Sequence, residues 1–211
     1  MKTPYYIAIE GVIGAGKTSL ASKLGEKLDA MLMLEQAEDN PFLADFYKDR
    51  RRYAFQTQLF FLLSRFKQQE EFPHPDLFHR RIVADYIFQK DKIFASINLD
   101  EREFLLYEKV VSLMEPRLVK PDIVVYLQSS PARLMKNIRI RSRVYEKEMT
   151  EEYIEELNEA YNRFFFAFTA TPLLVVNMER IDFLKDEAQF ERLFNAIMNA
   201  EPGTRYYNPL L

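Results

Sequence analysis

The chain of 211 residues contains no cysteine and no tryptophan, and it has only five glycines and two histidines. The absence of cysteine excludes disulfide bonds, thiol catalysis and cysteine-ligated metals. No apolar run approaches the roughly 18 residues of a membrane-spanning helix, and the N-terminal segment MKTPYYIAIEG lacks the apolar core of a signal peptide. The net charge is −3 and the pI is about 5.6, so neither nucleic acid nor a membrane is an expected partner. We therefore expect a single cytoplasmic domain spanning residues 1–211 that acts on small molecules.

The pattern of apolar residues predicts an α/β fold. The sequence is 48% hydrophobic and 29% charged, which is typical of a globular protein. Nearly continuous apolar runs predict strands that are buried on both faces of a parallel sheet, at 5–10, 31–35, 81–85, 123–127 and 173–177. Amphipathic helical patterns separate these runs, so we predict a five-stranded parallel sheet flanked by helices. The C-terminal segment EPGTRYYNPLL is expected to be an irregular tail.

Three of the five glycines lie within six positions, between the first predicted strand and the first predicted helix. They belong to the segment Gly11, Val12, Ile13, Gly14, Ala15, Gly16, Lys17 and Thr18, which is followed by Ser19. This segment matches G-x-x-x-x-G-K-[ST], in which backbone N–H groups surround phosphates, the lysine reaches the β- and γ-phosphates, and the threonine binds Mg²⁺. The alternative is a tight strand-to-helix turn without a phosphate-binding role, but a chain of this length would match the four fixed positions of the motif by chance in only about one case per hundred. The segment therefore predicts a P-loop that binds ATP or GTP together with Mg²⁺, and it does not identify the acceptor.

Two acidic residues end the second and third predicted strands. Asp85 has the placement of the carboxylate that supports the metal ion in P-loop proteins, although a strand-end aspartate can also simply start a turn. Glu35 is either a general base toward a hydroxyl group or a cap of the following segment, and its spacing does not decide between them. In open parallel sheets, the carboxyl ends of the strands meet at one edge. We therefore expect both carboxylates to lie near the glycine loop.

Arginines are concentrated in two places. Arg139, Arg141 and Arg143 alternate near the end of a predicted helix, where they either form a solvated basic helix end or neutralise a transferring phosphoryl group. The run at 50–52 is predicted to be a solvated loop ahead of a helix. The two histidines, at positions 74 and 79, have no metal-ligand partners nearby in sequence, so no role is assigned to them.

These motifs together resemble the bacterial deoxynucleoside kinases that phosphorylate deoxyadenosine, deoxyguanosine or deoxycytidine. The resemblance runs from Ile7 to about Phe183 and includes the segments EGVIGAGKTSL, LEQAEDNPFLADFY, FYKDRRRYAFQTQLFFLLSRF, IRSRVYE and VNMERIDF. It implies that Glu35 is the base for the nucleoside 5′-hydroxyl. It also implies a lid at about 136–150, in which Arg141 and Arg143 bind phosphates, and a loop under the donor's adenine at VNMERIDF.

The resemblance further implies a set of residues for the nucleoside. Tyr47 and Glu146 would bind the sugar 3′-hydroxyl, Gln58 the edge of the base, and Arg65 with Asp91 would shape the base pocket. Without the resemblance, Gln58 and Arg65 would be read as polar residues on one helix surface, because they lie seven residues apart. The Arg65/Asp91 pair is similar to that of kinases for purines and deoxycytidine, not thymidine.

The chain departs from the family pattern at two positions. Tyr86 stands where the family has an arginine that steadies the catalytic carboxylate and the 5′ oxygen, so either Arg80, Arg81 or a lid arginine substitutes for it or turnover is lowered. Asn137 stands where the family has its first lid arginine, and Arg139 is the expected substitute on the ATP side.

The resemblance implies a P-loop kinase fold and a homodimer. The expected function is ATP-dependent phosphorylation of the 5′-hydroxyl of a deoxynucleoside, with deoxyadenosine or another purine deoxynucleoside or deoxycytidine as the expected acceptor. Lys17, Glu35, Arg141 and Arg143 are the expected catalytic residues, and Thr18 with Asp85 the expected metal ligands. One alternative is a thymidylate-type monophosphate kinase, which Glu35 disfavours because a monophosphate acceptor needs arginine there more than a base. The other is a weakly active family member retained as a binding subunit, which the two departures motivate.

Overall fold

The computed structural model describes residues 3–71 and 81–209 of the chain, so His74 and His79 lie outside the described residues. Within these ranges the strands are β1 (Tyr6–Glu10), β2 (Met31–Met33), β3 (Ile82–Ala84), β4 (Ile123–Gln128), β5 (Leu173–Asn177) and β6 (Thr204–Tyr207). The α-helices are α1 (Lys17–Leu28), α2 (Leu43–Lys48), α3 (Arg50–Glu70), α4 (Lys90–Asn98), α5 (Glu101–Met114), α6 (Pro131–Arg141), α7 (Glu151–Phe166) and α8 (Glu187–Met198). Short 3₁₀ turns occur at Ala37–Asp39, Glu115–Arg117 and Val144–Glu146.

The described strands form one parallel sheet in the order β2-β3-β1-β4-β5-β6. Strands β1 and β3 are buried along their whole length, and β4 is buried except at Gln128. Parallel neighbours require crossover connections, and here helices make those connections and cover the sheet. The predicted α/β fold with a parallel, helix-flanked sheet is therefore confirmed.

The predicted count of five strands is wrong, because the C-terminal segment supplies a sixth. Strand β6 pairs with β5 in parallel, in a register that runs from Leu173 opposite Thr204 to Val176 opposite Tyr207. The segment TRYY has residues that favour strands, but it is short and mostly exposed, so it carries no apolar run that would predict a strand. Its backbone hydrogen bonds to β5 form only after the sheet has brought this edge within reach.

Side chains that precede the helices cap several of their first turns. Asp49 accepts a hydrogen bond from the Arg52 N–H at the start of α3, and Asp100 forms a capping box with Glu103 at the start of α5. Ser130 and Thr150 act in the same way for α6 and α7. No helix in the two described ranges is long and apolar enough to span a lipid bilayer.

The prediction of a loop at 50–52 is wrong, whereas the predicted solvent exposure is confirmed for Arg51 and Arg52. These three arginines form the first turn of α3, because Asp49 caps the helix one residue earlier. Arg50 is half-buried: its guanidinium carbon lies 4.1 Å from the centroid of the Tyr153 ring, and its Nη2 donates to Asn98 (2.9 Å) and Glu156 (3.1 Å). Arg50 thus ties α3 to α4 and α7.

The strand order decides where the polar residues meet. Strands β2, β3 and β1 are neighbours, so their carboxyl ends lie side by side at one edge of the sheet. The glycine loop follows β1, Glu35 lies two residues after β2, and Asp85 directly follows β3. The sheet thereby brings together three segments that are far apart in sequence.

Candidate active site

The glycine loop connects β1 directly to α1. Gly14 and Gly16 have φ angles of 84° and 94°, which side chains with a Cβ rarely adopt. A Cβ at Gly14 would also lie 2.7 Å from the Leu134 carbonyl oxygen of α6, so this glycine lets the loop and α6 approach closely. Val12 and Ala15 anchor the loop in the core, and Ser19 lies in the first turn of α1. The loop therefore presents backbone N–H groups at a helix N-terminus, which is an anion-binding arrangement.

Lys17 lies at the start of α1 and folds back over the loop. Its Nζ donates to the carbonyl oxygens of Gly11 (2.8 Å) and Val12 (3.1 Å). Burial lowers the pKa of Lys17 to about 8, and the nearby Lys90 cation adds to this effect while Glu10 opposes it. The ammonium group is thus held at the mouth of the phosphate loop.

Asp85 links the loop to the segment that follows β2. Its Oδ2 accepts a hydrogen bond from the Thr18 hydroxyl at 2.5 Å, and its Oδ1 accepts one from the Glu35 backbone N–H at 2.8 Å. The predicted convergence of the loop, Glu35 and Asp85 is therefore present in the structure.

Two cations hold the Glu35 carboxylate. Arg65 donates to Oε1 through Nε (3.0 Å) and Nη2 (2.5 Å), and Lys90 donates to Oε2 at 2.6 Å. Burial alone would raise the pKa of Glu35, but Lys90 and Arg65 outweigh burial and hold this pKa well below its usual range. Oε1 accepts two hydrogen bonds and Oε2 accepts one, from Lys90, so Oε2 has a further lone pair with which Glu35 can accept a hydrogen bond from a bound hydroxyl group.

Gln58, Arg65 and Asp91 meet beside Glu35, on α3 and α4. The guanidinium of Arg65 also bonds to the Asp91 carboxylate through Nη1, and the Gln58 side-chain amide donates to the Asp91 backbone oxygen at 2.8 Å. All three side chains are buried. Burial raises the pKa of Asp91 despite the opposing charge of Arg65. We call these three hydrogen-bonded residues the polar wall. A flat ligand with hydrogen-bonding groups, such as a nucleobase, could bind against it.

One cavity of about 390 Å³ lies beside these groups. It is lined by phosphate-loop residues, such as Lys17 and Thr18, by Glu35, and by Gln58 and Arg65 of the polar wall. Asp91 is fully buried behind Arg65 and is not among the described residues that line the cavity. Its volume is in the range of sites for small organic ligands. A phosphate-binding loop and a carboxylate therefore face the same space.

Comparisons with known proteins agree with this geometry. A model of the family described as deoxynucleoside kinase matches residues 7–200 of the chain. The chain belongs to the deoxynucleoside kinase family. A deoxyguanosine kinase of Bacillus subtilis is 35% identical over 200 residues, which cover 92% of this chain and 96% of that protein. A deoxyadenosine kinase of Dictyostelium discoideum is 37% identical over 164 residues, or 75% of this chain and 66% of that protein.

A solved structure gives the same result for the fold. Deoxyadenosine kinase from M. mycoides with bound dATP superimposes with a TM-score of 0.80 at 29% identity, covering 92% of this chain and 98% of that chain. The resemblance seen in the sequence is therefore confirmed, and the chain is a phosphotransferase of the family that phosphorylates deoxynucleosides with ATP as donor.

Tyr47 and Glu146 also line this cavity. The Tyr47 ring stacks on Tyr145 with a centroid distance of 6.5 Å and an interplanar angle of 7°. Glu146 is buried and bonds to the guanidinium of Arg141. The structure thus brings both residues to the cavity, and their binding of a 3′-hydroxyl stays a prediction.

The segment at 136–150 contains the end of α6 and the turn that leads to α7. Arg141 and Arg143 line the cavity, where Arg141 pairs with Glu146 and Arg143 Nε lies 3.5 Å from Glu38 Oε1. Arg139 is exposed and is not among the described residues that line the cavity. The structure therefore brings two of the three predicted arginines to the site.

Asn137 has a contact of its own in place of the expected arginine. Its Nδ2 donates to the Gly14 carbonyl oxygen at 2.8 Å, which joins α6 to the phosphate loop. Together with the close approach of Gly14 to Leu134, this bond fixes the distance between the loop and α6. A short amide makes this bond, and the longer arginine side chain would extend past it.

The residues around Thr18 suit a magnesium ion. A hydroxyl and the Asp85 carboxylate are hard oxygen donors, which Mg²⁺ prefers. Across residues 3–71 and 81–209 there is no group of three or more His, Cys, Asp or Glu side chains that could hold a metal ion. Mg²⁺ would therefore take most of its ligands from phosphates and water, as it commonly does in phosphoryl-transfer sites.

Sequence reasoning missed two buried charged residues at the site. Glu10, the last residue of β1, accepts hydrogen bonds from the backbone N–H groups of Gly11 (2.9 Å) and Ile87 (3.0 Å) and from the Tyr161 hydroxyl (3.2 Å). Lys90 contacts Glu35. Neither residue belongs to a spacing pattern that marks a site. A carboxylate in an otherwise apolar strand was the one available signal for Glu10.

Proposed function

We propose that this kinase transfers the γ-phosphoryl group of ATP to the 5′-hydroxyl of a deoxynucleoside, with purine deoxynucleosides as preferred acceptors and deoxycytidine as a further one. The observation that carries the proposal is that Glu35 lines the same cavity as Lys17 and Thr18 of the phosphate loop, and that its backbone N–H donates to Asp85. A carboxylate at that place can accept a hydroxyl proton, whereas it would repel an acceptor that already bears a phosphate.

On the donor side, the loop N–H groups and Lys17 would bind the ATP phosphates. Thr18 and Asp85 would hold Mg²⁺, which neutralises charge on the β- and γ-phosphates when bound. The Lys17 ammonium already lies at the loop, so moving its side chain to contact a bound nucleotide should cost little free energy.

On the acceptor side, Gln58 and Arg65 would contact the base, Asp91 would shape the pocket by holding Arg65 in place, and Tyr47 with Glu146 would bind the sugar 3′-hydroxyl. A bond forms between the 5′ oxygen and the γ-phosphorus while the bond from that phosphorus to the β–γ bridging oxygen breaks. The 5′ proton passes to Glu35 and ADP leaves. Most of the rate comes from positioning and charge neutralisation, because a loose phosphoryl transition state asks for little covalent help.

The lid segment would complete the site. We propose that Arg141 and Arg143 exchange their contacts with Glu146 and Glu38 for contacts with the transferring phosphoryl group. Arg143 and Glu38 are both partly exposed, so their pairing is weak enough to be replaced.

The polar wall supports purines and deoxycytidine over thymidine. Arg65 and Asp91 are locked to each other, and the relatives at 35% and 37% identity bear the names of purine deoxynucleoside kinases. We expect deoxyadenosine or deoxyguanosine to give the highest kcat/KM.

A coupled assay with ATP and Mg²⁺ tests the function directly. It compares deoxyadenosine, deoxyguanosine, deoxycytidine, thymidine and thymidine monophosphate as acceptors. Turnover of a nucleoside and not of the monophosphate supports the proposal. Turnover of the monophosphate alone would make the protein a thymidylate-type kinase, and ATP binding without any turnover would support a binding subunit.

We also propose that the kinase is a homodimer. Helices α3 and α5 pack on each other and expose four leucines, Leu63, Leu105, Leu106 and Leu113, of which Leu113 is 77% exposed. Exposed leucines on adjacent helices are typical of a protein interface. Sedimentation at micromolar concentration should give a dimer, and Leu113→Glu should shift it toward the 25.1 kDa monomer. A wild type that sediments as a monomer would contradict the proposal.

A further inference from the structure

Tyr86 supplies no charge to the catalytic carboxylate. Its side chain is fully buried, and its hydroxyl donates to Gln68 Oε1 at 2.6 Å. Gln68 in turn donates to the Leu34 backbone oxygen at 3.2 Å. Tyr86 therefore supports the backbone next to Glu35. The cation expected at this position must come from another residue.

The substitutes expected from the sequence do not reach Glu35 in the part of the chain that the structure describes. Arg81 points to the Thr3 hydroxyl, 3.4 Å from its Nη2. Arg141 and Arg143 are engaged with Glu146 and Glu38. Arg80 lies outside the described residues.

Lys90 supplies a cation to Glu35 from a different point in the sequence. It is the first residue of α4, and it is only 3% exposed. Its Nζ lies 2.6 Å from Glu35 Oε2. Lysine is rarely buried to this extent, because taking an ammonium group out of water costs several kcal/mol. A buried lysine that contacts a carboxylate in a ligand cavity is therefore a candidate for a functional role.

The surroundings of Lys90 place its charge between the two halves of the site. Arg65 bonds to Oε1 of Glu35 and Lys90 to Oε2, so the two cations together fix the carboxylate plane. Lys90, Lys17 and Glu35 line the same cavity, and Lys90 is close enough to Lys17 and Glu10 to interact with them electrostatically. Under the proposed function, the ammonium of Lys90 therefore faces the space that the acceptor hydroxyl and the donor phosphates would share.

We propose that Lys90 is the positioning residue that takes over the role of the absent arginine at position 86. It would orient Glu35 toward the 5′-hydroxyl and offset the negative charge that Glu35 and the transferring phosphoryl group bring together. The inference rests on the proposed function. A structural ion pair would show the same distances, so the test must separate turnover from folding and binding.

The test compares Lys90→Met, which keeps the length of the side chain and removes its charge, with Lys90→Arg. Lys92→Met is the matched control, because Lys92 is two residues away, 56% exposed and paired with Glu108. The double variant Tyr86→Arg/Lys90→Met returns a cation from the position where the family has it. Each protein is assayed for kcat and KM with deoxyadenosine or deoxyguanosine, for ATP binding by calorimetry and for thermal unfolding.

Lys90→Met should lower kcat by about 10²-fold, while KM for the nucleoside and the affinity for ATP change by less than about threefold. Lys90→Arg should keep most of the activity, and the double variant should recover at least about tenfold of the lost kcat. The control should behave as the wild type.

A Lys90→Met enzyme with kcat within about threefold of the wild type would overturn the inference and leave the proposed function intact. If Lys90→Met unfolds, rescue of kcat in Lys90→Arg or in the double variant still supports the inference, and a folded but equally inactive double variant overturns it. A wild type that turns over no nucleoside would overturn the proposed function and this inference with it.

Discussion

Replacing Glu35 with glutamine tests both the ion-pair network and the chemistry. The carboxylate accepts hydrogen bonds from Arg65 and Lys90, and its side chain is only 18% exposed. The glutamine amide has one oxygen and one NH₂ group, so its NH₂ group would face either Arg65 or Lys90, which are both hydrogen-bond donors. Removing one partner of a buried ion pair costs about 3–5 kcal/mol. We expect the lower end, about 3 kcal/mol, because Arg65 keeps its contact with Asp91. For a protein of this size that is a fall in Tm of about 6–12 °C.

The effect on turnover should be larger than the effect on binding. Loss of a positioned proton acceptor typically lowers kcat by about 10²–10⁴-fold, which corresponds to about 2.7–5.4 kcal/mol in the activation barrier. The proposed base and sugar contacts of Gln58 and Tyr47 do not involve the replaced carboxylate, so the nucleoside should still bind. Steady-state kinetics with the preferred deoxynucleoside, calorimetric titration and thermal unfolding measure the three quantities separately.

Glu38→Gln is the matched control. Glu38 lies close by in sequence, but its side chain is 68% exposed and pairs with Arg143 at 3.5 Å, so its loss should leave kcat within about threefold of the wild type. A Glu35→Gln enzyme with near-normal kcat would refute the assignment of Glu35 as the proton acceptor. A variant that loses nucleoside binding to the same extent as kcat would assign Glu35 to binding instead.

Two further substitutions test the phosphate loop. Lys17→Ala should abolish measurable turnover and weaken ATP binding in a calorimetric titration, because its ammonium is the cation held at the loop; unchanged ATP affinity would contradict the loop assignment. Gly14→Ala should lower stability by more than the roughly 1–2 kcal/mol cost of a left-handed backbone, since the new Cβ meets the Leu134 oxygen at 2.7 Å. Gly203→Ala is the control in thermal unfolding, because its φ of 85° is similar and no atom lies within 4 Å of its Cβ. Equal losses of Tm in the two variants would show that the close approach of α6 to Gly14 does not add to the destabilisation.

Features that depend on local sequence could be predicted without the structure. The glycine loop has its own conformational requirement, since Gly14 and Gly16 take positive φ angles that few other residues adopt. The buried runs in β1 and β4 are apolar because both of their faces are covered. The position of Glu35 and Asp85 at one edge followed from the rule for parallel strands.

Features that depend on partners distant in the chain could not be predicted in this way. Arg50 looks like part of a charged run, and only the approach of α7 places Tyr153 under its guanidinium. Asn137 looks like a lost arginine, and only the contact of α6 with the loop gives it Gly14 as a partner. In both cases the side chain's surroundings come from elements that precede or follow it by many residues.

The amino-acid sequence by itself determined the family, the parallel α/β architecture and the phosphate loop, because these depend on backbone conformation and on the periodic burial of apolar side chains. The tertiary structure alone decided that β6 completes the sheet and that Lys90 contacts the Glu35 carboxylate. A short polar edge strand forms only where an existing strand offers hydrogen-bonding groups. A lysine acquires a role at a distant carboxylate only when the fold buries the two together, because their mutual attraction offsets the cost of removing both charges from water.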